Sequence, residues 1–337
     1  MSLDIALATL ADHDDAYAVY RAAMEVDNPR GPVFSRRTFD CFITDPFPGQ
    51  LAERYLARLD GTAVGMVRIE APLHENTDLA NVDVIVAPEF RRRGFGRDLF
   101  AYAADRVRQL GRTKLHCATL YDVEGCPPAP AAPAAFARSL GFAPALPEIA
   151  RQLEIAEVDE AVLDRMLAEA WERADGYRVA QWLGTPPDDL IDDVAYLDGR
   201  LFSDAPTGDL DIEPEKVTAD RVREREASLV VRGRKTVHTG LVHEASGKLV
   251  AWTTICLDPD LDNGQALQFI TLVDPDHRGH RLGTIAKVEN LRRARREDPS
   301  VARITTWNAA SNGYMISINE AMGFRPAWGG MEWQRAL

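Results

Sequence analysis

Three arginines and two glycines crowd into Arg91-Arg92-Arg93-Gly94-Phe95-Gly96, with Arg97 next in line. An apolar strand-like run ending at Pro88 precedes them, and an amphipathic helical run follows. The first amides of a helix have no carbonyl partner inside it and share the positive end of the helix dipole. Glycine lets an anion approach the main chain without meeting a Cβ, and flanking arginines add charge-assisted hydrogen bonds. Residues of these types in this order make a seat for a diphosphate. It is not a Walker A loop, because no Gly-Lys-Ser/Thr follows. It is not the dinucleotide fingerprint G-x-G-x-x-G, because Leu99 stands at the last glycine place.

A distorted echo returns as Arg278-Gly279-His280-Arg281-Leu282-Gly283, again after a strand-like run and a proline, Pro275. Arg281 occupies the place of the first loop glycine and only Gly283 remains, so this copy is expected to fit the pattern less well. Arg281 adds positive charge, so a diphosphate can still be held there.

The elements that must position these loops can be read from periodicity and punctuation. In the first half, 12–26 reads as a helix capped by Asp12 or Asp14. Residues 54–71 read as two strands around the Asp60-Gly61 turn. Strands follow at 81–88 and 114–121, with a helix from 94 to Gly111 between them. A proline-rich loop then leads into a short helix stopped by Gly141. The second half repeats this order: a hairpin around Ser246-Gly247, a strand to Pro275, a helix over 281–297, a strand over 302–309 and a helix ending at Gly323. Gly96 and Gly283 are 187 residues apart, and the Gly-Phe pairs at Gly141 and Gly323 are 182 apart. Two landmarks at nearly one spacing indicate an internal duplication. A helical stretch at 157–174 is expected to link the halves, and the acidic segment 204–215 to form a surface loop.

Composition bounds the rest. The 337 residues suffice for two domains, and 46% apolar with 27% charged residues fits a soluble globular chain without a membrane-spanning run. The N-terminus has no basic segment and turns acidic early, which argues against a signal peptide. Net charge is −13, which speaks against a nucleic-acid partner and makes the arginine cluster a local exception. Cys41, Cys117, Cys126 and Cys256 form no C-x-x-C pair and read as buried small residues in a reducing cytoplasm. His277 and His280 have no third ligand nearby, so no metal is expected. Trp182, Trp252, Trp307, Trp328 and Trp333 enrich the second copy; their faces can attract a cation, and ordinary core packing accounts for most of them.

Arg91 to Gly96 resembles the acetyl-CoA loop of the GCN5-related N-acetyltransferase (GNAT) superfamily, which reads Q/R-x-x-G-x-G/A, and Phe136 to Phe142 resembles the helix and Gly-Phe that close the same fold. Residues 307–326 are similar to the closing motif of tandem actinobacterial members. The resemblance covers about 1–155 and 177–337, with 156–176 as a linker helix. It implies an α/β fold of two tandem domains, each a splayed, mostly antiparallel mixed sheet flanked by helices. It also implies an acetyl-CoA-dependent N-acetyltransferase acting on a small amine.

In that family the sheet opens between its fourth and fifth strands, and backbone groups at the end of the fourth hold the pantetheine arm. Here these are Val84, Ile85 and Val86 in copy one and Thr271, Leu272 and Val273 in copy two. A carboxylate takes the proton of the attacking amine. Asp83, five residues before Pro88, is the first candidate, or else it pairs with a basic neighbour; Glu70 is the second, and copy two has Ile270 in the place of Asp83. The family's acid is a tyrosine four residues before the Gly-Phe glycine. Ala137 and Asn319 stand there instead, with Tyr314 a loose alternative. A family asparagine that contacts CoA is kept as Asn312 in copy two and is Pro130 in copy one. The layout is similar to that of mycothiol synthase, in which one half does the chemistry, and copy one is favoured as the working half. A non-catalytic acyl-CoA-binding scaffold is the rival reading, and acetylation of protein lysines a third.

Overall fold

The computed structural model describes residues 3–29, 31–261 and 264–337. These form two compact units: 3–147 with 208–211 and 329–337, and 148–207 with 212–328.

The first unit contains β1 (Asp4–Leu7), α1 (His13–Asp27), α2 (Arg36–Thr44), β2 (Gln50–Leu59), β3 (Thr62–Pro72), β4 (Leu79–Val86), α3 (Phe95–Gln109), β5 (Lys114–Tyr121) and α4 (Ala131–Ser139). Asp60 and Gly61 both take left-handed backbone, φ 49° and 83°. That is the turn whose twist suits a two-residue hairpin. It sets the β2–β3 register, which runs from Leu59 against Thr62 to Gln50 against Pro72 with one irregularity at Ala57/Arg58. Alternation then sorts the side chains. Leu56 and Met66, with half-buried Ile85, pack with Ala16, Val19, Tyr20 and Phe39 on the α1/α2 side. Tyr55, Val67, Ile69 and Val82 pack with Leu99, Ala103 and Val107 of α3 on the other. Asp12 stands at the start of α1 but does not cap it: its carboxylate accepts from the Thr9 amide (2.9 Å) and hydroxyl (2.8 Å) and from Arg58 (3.0 Å).

The second unit contains α5 (Glu160–Trp171), β7 (Tyr177–Leu183), α6 (Ile191–Gly199), α7 (Leu201–Asp204), α8 (Ala219–Val231), β8 (Lys235–His243), β9 (Leu249–Leu257), β10 (Gln265–Val273), α9 (Leu282–Glu297), β11 (Arg303–Ala309) and α10 (Gly313–Ala321). The helix expected to link the halves, α5, is part of this unit: Leu163, Met166 and Leu167 join the core with Val288 and Leu291 of α9.

Two long strands cross the bounds set by chain order. β6 (Ala143–Glu154) leaves the first unit at Pro147, and its remainder pairs with β11, from Glu148 opposite Ala309 to Glu154 opposite Arg303. β12 (Arg325–Ala336) brings Gly329–Ala336 against Tyr121–Lys114 of β5 in the first unit. Each unit's strand beside its opened sheet thus comes from the other half of the sequence. Trp333, counted by position with the second copy, is buried in the first unit's core and donates its indole N–H to Thr119 Oγ1 at 2.8 Å. Trp182, Trp252 and Trp328 are buried in the second unit, as core packing predicts. Cys41 and Cys256 are buried; Cys117 and Cys126 are only half so.

Trp333→Ala should lower stability by about 3–5 kcal/mol, the range for truncating a buried aromatic. Urea unfolding followed by circular dichroism checks this; an unchanged midpoint would mean that the terminal strand does not support the first unit.

Candidate functional site

In the first unit β4 and β5 run parallel, but they pair only through Leu79–Lys114, Ala80–Leu115 and Asn81–His116. Both strands continue, β4 to Val86 and β5 to Tyr121, without pairing to each other. The opening expected between the fourth and fifth strands is therefore present. Val84, Ile85 and Val86 lie beyond it, half-buried, and pair with Val67, Met66 and Gly65 on their other edge.

A 3-10 turn at Pro88–Phe90 carries β4 into the arginine loop. Arg92 (φ 64°) and Gly94 (φ 94°) both take left-handed backbone before α3 begins. The first bond of the helix runs from the Arg97 amide to the Gly94 carbonyl at 2.9 Å, so the Phe95 and Gly96 amides have no partner within the helix. A Cβ on Gly94 would meet nothing within 4 Å, so this corner of the main chain is open to a ligand. Gly96 is different: its Cβ would come within 3.3 Å of the Phe136 ring, so its smallness lets α3 pack on α4 rather than making room for a diphosphate.

The arginines divide the same way. Arg91 braces the loop: Nε donates to the Val86 carbonyl at 3.0 Å, and the guanidinium forms a two-point pair with Asp27 at 2.7 and 2.8 Å. Arg93 donates to the Glu89 carbonyl at 3.2 Å and lies over Phe90. Arg92, Arg93 and Arg97 are exposed.

The second unit repeats this geometry more faithfully than its sequence implies. β10 and β11 pair through Gln265–Arg303, Ala266–Ile304 and Leu267–Thr305 and then separate. Gly279 (φ 88°) and Arg281 (φ 57°) take the two left-handed places. Copy one puts arginine then glycine at these places; copy two puts glycine then arginine. Arg281 therefore leaves the loop's backbone intact, because each loop holds one glycine and one strained arginine. Arg278 matches Arg91: Nε reaches the Val273 carbonyl at 3.4 Å and the guanidinium pairs with Asp204 at 3.2 Å. His280 Nδ1 is 2.9 Å from the Arg173 carbonyl oxygen. Leu282 is buried, and Gly283 faces Val273, Ile318 and Met315 at ordinary contact distance.

β10 also carries an irregularity between Gln268 and Thr271, where it faces β9, that β4 lacks. Gln268 Nε2 donates to Thr253 Oγ1 (3.0 Å) and the Thr254 carbonyl (2.8 Å), and Thr271 Oγ1 lies 2.7 Å from Thr253 Oγ1. Leu272 is buried beside it. Asn312 caps α10, accepting from the Met315 amide at 3.2 Å. Tyr314 is 56% exposed on the first turn of that helix. Asn319 is buried and donates to Asn308 Oδ1 at 2.7 Å.

On the face turned toward α1 and α2, the first unit aligns a charged row across three strands. Arg54 of β2 sits opposite Arg68 of β3, which sits opposite Asp83 of β4. Arg68 Nη1 is 3.7 Å from Asp83 and Nη2 is 3.9 Å from Glu70. The Asp83 side chain is 47% exposed. Arg54 is fully buried with its guanidinium 3.6 Å from the centre of the Phe39 ring; burial, reinforced by the charge of Arg68, pushes its pKa down to about 9. Half-buried Cys117 is pushed up to about 12, by burial first and then by the charges of Asp83 and Glu332, so it is no thiolate nucleophile at neutral pH.

By strand register, His238 and Thr254 replace Arg54 and Arg68 in the second unit. His238 is stacked between Trp182 (5.2 Å) and Trp252 (6.0 Å), and all three are buried.

Sequence reasoning missed Arg54 and Arg68. Period-two alternation from Met66 and Glu70 places Arg68 on the α1/α2 face, and that signal was present. It also missed Lys287 of α9, which stands at the place of Phe100. Phe100 packs edge-on against Phe142 at 5.8 Å, whereas Lys287 Nζ lies 5.5 Å from the centre of the Phe324 ring. Burial pushes Lys287 down to about 7. Glu148, opposite Ala309, is pushed upward by burial; nothing in its sequence neighbourhood marks it. Among the described residues no group of three or more His, Cys, Asp or Glu could hold a metal, and no helix is long and apolar enough to cross a membrane.

Each unit thus has a sheet parted between parallel strands, with an arginine-glycine loop and a helix N-terminus after the parting, as the resemblance to acetyltransferases implies. Residues 7–142 match the model of the Acetyltransferase (GNAT) family. A tandem GNAT protein from the clavulanic acid biosynthesis pathway is 28% identical, with a TM-score of 0.80, over 99% of this chain and 98% of that one. A GCN5-related N-acetyltransferase from Sphaerobacter thermophilus has a TM-score of 0.65 at 14% identity over 99% and 95%. The glucosamine N-acetyltransferase region of a fungal multi-domain β-N-acetylglucosaminidase has a TM-score of 0.69 at 12% identity over 99% and 38%. No curated protein sequence matches the chain. Residues 7–142 are thus a GNAT domain by their family match, and over its whole length the chain is similar to a tandem GNAT protein.

Lys287→Met tests the cost of the buried amine. The folded pKa lies below the ordinary 10.5, so the buried ammonium costs most below about pH 7, and the cost fades as pH rises to 10.5. The variant should be more stable than wild type by about 2–4 kcal/mol at pH 6, with the gain shrinking toward pH 10. A gain that does not vary between urea titrations at pH 6 and pH 10 would contradict the assignment.

Proposed function

We propose that the protein is an acetyl-CoA-dependent N-acetyltransferase for a small amine, with its working site in the N-terminal unit. In chain order we read the two domains as 1–155 and 177–337, joined through 156–176. The observation that carries the reading is the parting of β4 from β5 after Asn81, with the open Gly94 corner at its end. The N-terminal unit is preferred because its acceptor face bears the half-exposed Asp83 carboxylate, whereas the second unit has Ile270 at that place and a buried Trp182–His238–Trp252 stack on the same face.

The residues fit the cofactor. The outward main-chain groups of Val84, Ile85 and Val86 would hold the pantetheine arm, with the Val86 carbonyl shared with Arg91. The amides at Gly94 to Gly96 and the guanidiniums of Arg92, Arg93 and Arg97 would hold the diphosphate. Bound acetyl-CoA supplies the thioester whose acyl carbon the amine attacks, with CoA leaving as thiolate. Asp83 accepts the amine's proton, directly or through water, with Glu70 on the neighbouring strand as the second carboxylate. A thiol of pKa near ~8.5 can leave without a protein acid, which fits Ala137 at the tyrosine place. In the second unit Arg278 to Gly283, Thr271 to Val273 and Asn312 make the corresponding acyl-CoA seat, and Tyr314 is its one candidate acid. A cytoplasmic place accords with cysteines that form no disulfide among the described residues.

Asp83→Asn should lower turnover by about 100-fold, within the range for losing a general base, while changing acetyl-CoA affinity less than about threefold. Wild-type turnover in this variant would remove Asp83 from the mechanism. Gly94→Glu should weaken acetyl-CoA binding by more than about tenfold in calorimetry, because it adds a negative side chain and strains a left-handed residue. Absence of CoA release with every amine, alongside tight acetyl-CoA binding, would favour the scaffold reading.

A further inference from the structure

We infer that the acceptor amine carries an anionic group, read by Arg68 with Arg54 behind it. The inference rests on the N-terminal unit being the acyltransferase site and names the class of its substrate.

The other structural arginines of this unit serve as an internal standard. Arg58 closes on Asp12 and Asp15 at 3.0 and 2.7 Å, Arg91 on Asp27 at 2.7 Å, and Arg106 on Glu53 at 2.5 Å. Arg68 does not close on anything: its carboxylate neighbours stand at 3.7 and 3.9 Å, outside hydrogen-bond distance, and its Nε is buried without a partner. Arg54 is fully buried, and only its Nη2 is bonded, to the Phe39 carbonyl; Nε and Nη1 have no partner. Two guanidiniums therefore face each other across β2 and β3 with three unpartnered donors. Unpartnered buried donors and adjacent like charges both cost stability. The Arg68 guanidinium also lies 4.3 Å from the centre of the Phe42 ring and 5.6 Å from that of Phe34, with the half-exposed Asp83 carboxylate 3.7 Å away.

A flat, preorganised guanidinium with open donors matches a carboxylate or a phosphate. An acceptor docked there through its anion would present its amine to Asp83 and Glu70, whose charges suit an ammonium before it loses its proton. In the second unit neither arginine is present, so the selectivity belongs to the first.

The test compares matched amines on the full chain with acetyl-CoA, following CoA release: 4-aminobutyrate against butylamine for the carboxylate, and phosphoethanolamine against ethanolamine for the phosphate. Wild type should favour one anionic member over its plain partner by about tenfold or more in kcat/KM, and the favoured pair identifies the anion. Arg68→Met should erase that preference, lowering the anionic amine's kcat/KM at least about 30-fold more than the plain amine's, and Arg68→Lys should keep part of it. Each variant's acetyl-CoA affinity reports whether it is folded. Equal use of plain and anionic amines by wild type, or equal losses with both in Arg68→Met, overturns the inference and leaves acetyl transfer standing. If no amine releases CoA, thermal melting decides. Stabilisation of wild type but not of Arg68→Met by 4-aminobutyrate or phosphoethanolamine upholds the anion site and fails the transferase reading. Absence of stabilisation overturns the inference as well.

Discussion

Everything functional in this chain depends on two parallel strands that begin to pair and then stop. A strand edge left without its neighbour carries main-chain donors and acceptors that must find partners, since a buried polar group without one is costly. β4 stops pairing with β5 at Asn81, and β10 stops pairing with β11 at Leu267. In both units the parted strand, ending at Val86 or Val273, leads through the loop to a helix starting at Phe95 or Leu282 whose first amides have no internal partner. A ligand with amide groups along its length and a diphosphate at its end satisfies both sets at once, which is why an acyl-CoA suits this geometry.

The two loops show how sequence can vary under that constraint. Each requires left-handed backbone at two places separated by one residue, and each supplies one glycine and one arginine there, in opposite order. A consensus that expects glycine at a fixed place counts the second copy as damaged, whereas its backbone is preserved. The bracing arginine is kept too: Arg91 and Arg278 both tie the loop to the last carbonyl of the strand and to an acidic residue. Divergence is concentrated instead on the face that α1 and α2 cover in the first unit, where Arg54, Arg68 and Asp83 correspond to His238, Thr254 and Ile270 in the second, with His238 stacked between two tryptophans.

Much of this was legible in the sequence because it depends on local rules. The hairpin at Asp60-Gly61, β5 over Lys114–Tyr121 and the helices after each loop follow from turn chemistry and periodicity. What was not legible is non-local. No periodicity reveals that Gly329–Ala336 pairs with β5 in the first unit, because a strand's partner is not written in the strand. Gly96 reads from the sequence as a ligand-facing glycine, whereas the ring of Phe136, forty residues on, lies against it. The Arg54–Arg68–Asp83 row depends on the register of three strands, so each residue read alone is an ordinary charged residue. Lys287 stands where the repeat spacing puts Phe100 in the first copy, but its burial depends on the packing of α9 and is not written in the sequence.

Hydrogen–deuterium exchange of the main chain with and without acetyl-CoA tests the central claim most directly. The account predicts that added acetyl-CoA slows exchange at residues 82–86 and 92–97 together, in the parted strand and the loop at its end. Slowed exchange confined to other segments, with both of these unchanged under saturating acetyl-CoA, would contradict it.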